Sequence, residues 1–130
     1  MNNAGWKPSP TDPKEAGSPF ENYSMDLWDD IFAINVGAAA KCAKIIGRRM
    51  LTRGKGVIIN ISSVYALVSP DQRVYEYRTK LGKPAFIKDA AYSASKAALI
   101  ALTRDLATLW GPKGIRVNAL ALGGVLNPKS

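Results

Sequence analysis

Apolar positions along the chain form two helical stripes, each followed by a short β-branched run. Leu27, Ile31, Ile34, Ala38, Cys42 and Ile45 recur at spacings of three and four, which predicts one buried face of a long helix. Ser24 stands where an N-cap belongs, and Asp26, Asp29 and Asp30 place negative charge in the first turns. Arg48, Arg49, Arg53 and Lys55 gather at the other end, where cations suit the helix dipole, and Gly54 and Gly56 should stop the helix. Val57 to Ile61 is apolar apart from Asn60 and does not alternate, as expected of a parallel strand covered on both faces. Residues 64–90 have no clear period. From about Ala91 the helical spacing returns in Leu99, Leu102, Leu106 and Leu109, closed by Gly111-Pro112, and Ile115 to Leu122 reads as a second buried strand. The order helix, strand, helix, strand predicts a right-handed crossover and a parallel α/β sheet.

Residues 6–23, with Pro8, Pro10, Pro13, Pro19, Gly17 and Ser18, resist both helix and sheet and read as a surface loop. The 130 residues then make a single domain, 1–130, with no internal repeat. The net charge of +8 is spread over helix ends and loops and forms no basic stripe with interleaved aromatics. It reads as solvated surface or phosphate steering, not as a nucleic-acid footprint. Cys42 has no second cysteine to pair with, and its place on the apolar stripe puts it in the helix core. The absence of histidine removes His-dependent triads and His-based zinc sites, and no metal site is expected. With no signal pattern and no apolar run long enough to span a bilayer, the expectation is a soluble, cytoplasmic protein without a membrane partner.

Tyr92 and Lys96 lie four apart at the start of the second helix and so project from one face, one turn apart. A phenol is a poor base at neutral pH, but a neighbouring ammonium stabilises the phenolate. Such a tyrosine can pass a proton to or from a substrate oxygen while a hydride moves at the adjacent carbon. By itself the spacing also fits a surface tyrosine beside a solvated lysine. The surroundings are more specific: Asn60-Ile-Ser-Ser63 closes the first strand, where ligand contacts gather in open α/β sheets, and Tyr92-Ser-Ala-Ser-Lys96 opens the helix that follows. Gly114-Ile-Arg-Val-Asn118 leads the next strand to Gly123-Gly124-Val125, Asn2-Asn-Ala-Gly5 stands at the start, and Asn35-Val36 lies in the first helix.

Together and in this order, these motifs resemble the short-chain dehydrogenase/reductase family from its fourth strand to just beyond its sixth, covering nearly the whole chain. The resemblance implies a partial Rossmann-type, doubly wound parallel sheet with two long helices flanking the strands. It implies that Ser63 holds the substrate oxygen, Tyr92 is the general acid/base, and Lys96 supports Tyr92 and binds the nicotinamide ribose. Asn35 would support a proton-relay water, although Asn35 also reads as an exposed helix residue and Ser63 as a plain strand end. Asn3, Ala4, Gly5, Gly123, Gly124 and Val125 would line the cofactor, NAD or NADP, and Tyr65 would join Ser63 at an alcohol or carbonyl substrate. The family's oligomers commonly form through the equivalents of the two helices, so a homo-oligomer is expected.

Three features depart from the family pattern. No glycine-rich phosphate turn is present, so the chain reads as truncated, with its nucleotide-binding half missing and no turnover expected from it in isolation. The alternative is a non-catalytic α/β interaction module that pairs through its helices. The interval from Ser63 to Tyr92, 92 − 63 = 29 positions, is longer than the usual connection, so 64–90 reads as an insertion beside the active site. Its Arg73, Tyr75, Tyr77, Arg78, Lys80 and Lys83, with Tyr65, suit a polar, sugar-like or anionic substrate, and equally a solvated insertion. Leu122 replaces the proline usual before the two glycines, which loosens a turn that ordinarily faces the nicotinamide.

Overall fold

The structure, a computed structural model, describes residues 18–83 and 85–124. Asn3, Ala4, Gly5 and Val125 lie outside the described residues, as does most of the 6–23 segment.

Helix α1 spans Met25–Phe32, continues through a π-helical turn at Ala33–Gly37, and runs on as α2, Ala38–Arg53. Ser24 caps it as its sequence suggests, its hydroxyl accepting from Leu27 N at 3.3 Å, and Gly54 ends it in the left-handed conformation (φ 65°). Strand β1, Gly56–Ser63, follows, then short 3₁₀ turns and the one-turn helix α3, Tyr77–Lys80. Helix α4, Ala90–Trp110, leads through a 3₁₀ turn at Gly111–Lys113 into strand β2, Ile115–Leu122. The two strands are parallel, in register from Gly56 opposite Ile115 to Ser63 opposite Leu122. The expected α/β arrangement of two parallel strands and two long helices is therefore present.

The buried faces differ from expectation. Ile31, Asn35, Ala39, Ala43 and Gly47 point inward, whereas Ile34 and Ile45 are exposed and Cys42 is a free, exposed thiol, not a core residue. The π turn inserts about one residue into the helical repeat, so a stripe extrapolated at uninterrupted α-helical spacing rotates off the core. On α4 the inward residues are Ala91, Ser95, Lys96, Leu99, Thr103 and Trp110, and Leu109 is exposed. Strand β1 alternates: Ile58, Asn60 and Ser62 are buried, while Val57 is exposed and Ile59 and Ile61 are half-buried. Alternation replaces the expected two-sided burial because both long helices pack on the same face of the sheet.

That face holds the core. Ala43, Ile58, Trp110, Ile115 and Val117 cluster there, with Met50, Leu51, Leu106 and Ala107 packed around them. Each large apolar side chain so buried contributes about 1.5–3 kcal/mol. Gly47 lets Trp110 into the cluster, since a Cβ at 47 would lie 2.5 Å from the indole ring. Among the described residues no helix is long and apolar enough to cross a membrane.

Candidate active site

The carboxyl end of β1 and the first two turns of α4 are laced together by buried polar groups. Ser62 Oγ donates to the Lys96 carbonyl at 2.8 Å, and Lys96 Nζ donates back to the Ile61 carbonyl at 2.9 Å. Two turns further along α4, Asn60 Nδ2 donates to Thr103 Oγ1 (2.8 Å), which donates to the Leu99 carbonyl (2.7 Å). From the other helix, Asn35 Nδ2 donates to Ser95 Oγ (3.0 Å), and Ser95 Oγ donates to the Tyr92 carbonyl (2.8 Å). Asp89 caps α4, its Oδ1 accepting from Ala91 N (2.8 Å) and Tyr92 N (3.4 Å), while its Oδ2 accepts from the Tyr23 hydroxyl (2.8 Å). Tyr92 thus sits on a turn held by the sheet, by the π turn and by its own N-cap. Side-chain bonds to buried backbone carbonyls replace lost water, so each such link fixes position as well as satisfying a polar atom.

The site's electrostatics follow from burial. Lys96 is 5% exposed, and desolvation pulls its pKa below the ordinary lysine value. Its Nζ lies 5.7 Å from the Tyr92 ring centroid. A second ammonium, Lys88 Nζ, lies 5.2 Å from that centroid and 5.2 Å from the Tyr65 ring. Ser63 is buried and its Oγ accepts from Tyr65 N at 3.2 Å, so its own hydrogen remains able to donate. The Tyr65 and Tyr75 hydroxyls are 3.4 Å apart, and burial, then this contact, pushes Tyr75 up to about 12. Burial and the Asp89 carboxylate raise the Tyr23 phenol further above its usual range.

Ser63, Tyr65, Tyr92, Lys96 and Asn35, singled out by sequence, therefore surround one end of β1 and α4. Asn35 is fully buried in the π turn, which excludes the exposed-residue reading. Gly123 and Gly124 are exposed and follow directly on Leu122, the register partner of Ser63. The loop residues divide: Tyr65 and Tyr75 join the site, Arg73 turns to Asp71 at the surface (2.7 Å), and Arg78 stacks over Phe86. Sequence reasoning missed Tyr23, Lys88, Asp89 and Ser95. Asp89 was readable as an N-cap three residues before Tyr92. For Tyr23 no local pattern exists, because its bond to Asp89 joins distant parts of the chain, and Lys88 lies before the start of α4, so its approach to the Tyr92 ring is not a helix-face pattern. Among the described residues no group of side chains suits a metal ion.

Comparison with known proteins shows the family. Residues 1–79 match the family model described as short chain dehydrogenase, and residues 80–129 match one described as enoyl-(acyl carrier protein) reductase. The chain belongs to the short-chain dehydrogenase/reductase family. It is 35% identical over 106 residues to gluconate 5-dehydrogenase of Gluconobacter oxydans, covering 82% of this chain and 35% of that protein. It is 34% identical over 104 residues to D-threitol dehydrogenase of Mycolicibacterium smegmatis, covering 80% and 34% respectively. Its fold superposes with a TM-score of 0.72 on a gluconate 5-dehydrogenase from Burkholderia cenocepacia solved with NADP and tartrate. That match has 28% identity and covers 97% of this chain and 40% of the other. The chain spans about a third of the length of these curated relatives.

Proposed function

We propose that this chain carries the catalytic part of an NAD- or NADP-dependent oxidoreductase acting on a polyhydroxylated, sugar-like alcohol or the matching carbonyl compound. The observation that supports the reading is the lacing of β1 to α4, which holds the Lys96 ammonium near the Tyr92 ring, next to the strand end that carries Ser63. In this reading the Ser63 hydroxyl donates to the substrate oxygen, Tyr92 takes or gives the hydroxyl proton, and the Lys96 ammonium steadies the charge that forms on the phenol oxygen. Asn35 acts through Ser95, whose bond to the Tyr92 carbonyl holds the turn, and its buried amide supports a proton-relay water. The names of relatives that oxidise gluconate and threitol support the substrate class.

The residues present fit the nicotinamide end of a dinucleotide. The strand ends at Ser63 and Leu122 lie side by side, where open α/β sheets take ligands, with Lys96 beneath and Gly123-Gly124 following. When bound, NAD or NADP supplies the hydride acceptor or donor. The 130 residues hold no G-x-G-x-x-G turn for the pyrophosphate. An NADH fluorescence titration of the chain tests the cofactor reading. Saturable binding that weakens at least about tenfold in Lys96→Met supports it; no binding by a folded chain removes it.

A second reading, an assembly module that pairs with another copy through the helices, is favoured by an apolar groove of about 280 Å³ between α2 and α4. Ala40, Leu51, Leu102, Leu106 and Trp110 line it, and Ile45, Ile46 and Leu109 are exposed on the same helices. Sedimentation equilibrium decides it: a concentration-independent monomer ends this reading.

A further inference from the structure

We propose that Tyr23 is a positioning residue for Tyr92: acting through the Asp89 carboxylate, it joins Asn35 in gripping the Tyr92 backbone from the first helix. This rests on the dehydrogenase reading above and adds to it a residue outside the motifs that carry the family resemblance.

Both backbone groups of Tyr92 are held by side chains. Its N–H donates to Asp89 Oδ1 (3.4 Å), beside the shorter bond from Ala91 N (2.8 Å), and its carbonyl accepts from Ser95 Oγ (2.8 Å). Each of these side chains is held in turn. Asp89 Oδ2 accepts from the Tyr23 hydroxyl (2.8 Å), and Ser95 Oγ accepts from Asn35 Nδ2 (3.0 Å). Tyr23 directly precedes Ser24, the N-cap of α1, and Asn35 sits in the π turn that continues α1. Any shift of that rod against the start of α4 therefore reaches Tyr92 through two bonds at once. Lys96, by contrast, is tied to the Ile61 carbonyl of the sheet, so the 5.7 Å between its Nζ and the Tyr92 ring depends on where the first turn of α4 is held.

An N-cap carboxylate needs only one oxygen for the first amides of its helix. The second oxygen of Asp89, a residue 8% exposed, gives up water on burial, and the phenol replaces that water. With both oxygens engaged, the carboxylate cannot turn and exchange the amides for solvent. Tyr23 is suited to donate: burial first, then the bond to Asp89, raises its pKa above the usual phenol range, so it keeps its proton, and a bond from a hydroxyl to a carboxylate is among the stronger kinds. Its ring is fixed as well. It meets Trp28 edge-on at 6.4 Å, Trp28 stacks on Phe32 at 5.1 Å, and α1 packs on α4. Residues 85–89 reach α4 without helix or strand, so its first turn depends for its order on these side-chain bonds.

Two measurements test the proposal. With this segment in the frame of a full-length relative and that relative's own substrate, Tyr23→Phe should lower kcat about tenfold and leave KM within about twofold, because a displaced proton donor slows chemistry more than binding. Asp89→Ser keeps an N-cap but cannot reach Tyr23; it should do the same, and the double variant should be no slower than either single one. Unchanged kcat in Tyr23→Phe, a rise in KM as large as the fall in kcat, or losses that multiply in the double variant would each overturn the proposal. In the 130-residue chain, amide hydrogen exchange at Ala91 and Tyr92 should quicken about tenfold in Tyr23→Phe, with amides beyond Leu99 unchanged. Asp89→Ser serves in the same measurement should Tyr23→Phe not fold. Exchange unchanged at Ala91 and Tyr92 overturns the grip whatever Tyr92 does chemically, whereas full turnover in Tyr92→Phe with the exchange effect intact would end the dehydrogenase reading and leave the grip in place.

Discussion

The seam between β1 and α4 and the loop over it, residues 64–89, are built on opposite principles. The seam is made of small polar side chains, Asn60, Ser62, Ser95 and Thr103, each 6% exposed or less and each bonded across the fold. The loop is held by an exposed ion pair, a glutamine clamp on Lys88, and aromatic and cation contacts among Tyr65, Tyr75, Phe86, Arg78 and Lys88. Buried, fully satisfied polar networks specify one geometry, whereas exposed contacts tolerate exchange. In the proposed reading, proton chemistry falls to the part held in one geometry and substrate choice to the part that is cheap to alter.

The largest effect expected on the seam side is on chemistry. With this segment in the frame of a full-length relative, Tyr92→Phe should lower turnover in an NAD(P)H assay by about 10²–10⁴-fold, with the fold unchanged by circular dichroism; retained turnover would detach the seam from catalysis. Next comes stability. Asn60→Ala leaves Thr103 without its buried donor and should lower the unfolding free energy by about 1–3 kcal/mol in urea titrations, and a smaller change would show the seam to be less tightly coupled than its bonds imply.

A third test uses pH. Tyr23 and Tyr75 hold their protons more firmly folded than unfolded, so the stability they add is present below the ordinary phenol value of 10.0 and is lost as pH rises through the folded values, about 12 for Tyr75. Lys96 acts in the other direction, since burial disfavours its charged form; its penalty relaxes as pH climbs from its lowered pKa toward 10.5. The urea midpoint should therefore fall above pH 10, and less steeply in Tyr23→Phe. Equal slopes in the two proteins would mean that the Tyr23–Asp89 bond does not tie the first helix to the site. The smallest effect belongs to the loop: Arg73→Ala breaks an ion pair whose arginine side chain is 82% exposed, and the midpoint should not move measurably.

What the sequence made legible follows local rules. Ser24, Gly54 and Gly111 mark helix ends because capping depends on a few neighbouring residues, and the four-residue spacing of Tyr92 and Lys96 needs only a helix to become a shared face. The inner faces were harder. Leu27, Ile34, Cys42 and Ile45 form a regular apolar series, yet the helix changes register at Ala33–Gly37, and a π turn has no composition signal of its own. The alternation along β1 was hidden by Val57, Ile59 and Ile61, apolar residues on the less covered face. Lys88 lies in the stretch 64–90 that has no clear period, and its contact with the Tyr65 ring, 23 positions away, follows no local rule.

The wide turn at Ala33–Gly37 works as a vernier. Ahead of it α1, with Ile31 buried, packs on α4, and behind it α2 packs on the sheet and Trp110 through Ala43 and Gly47, two surfaces that a rod of constant pitch would not meet together. Chain length between Phe32 and Ala38 is thereby counted to the residue: removing one position would restore constant pitch and force one half of the rod to give up its surface. Asn35 stands at the midpoint of that adjustment, so the geometry of the Tyr92 turn and the seating of the whole helix are one variable.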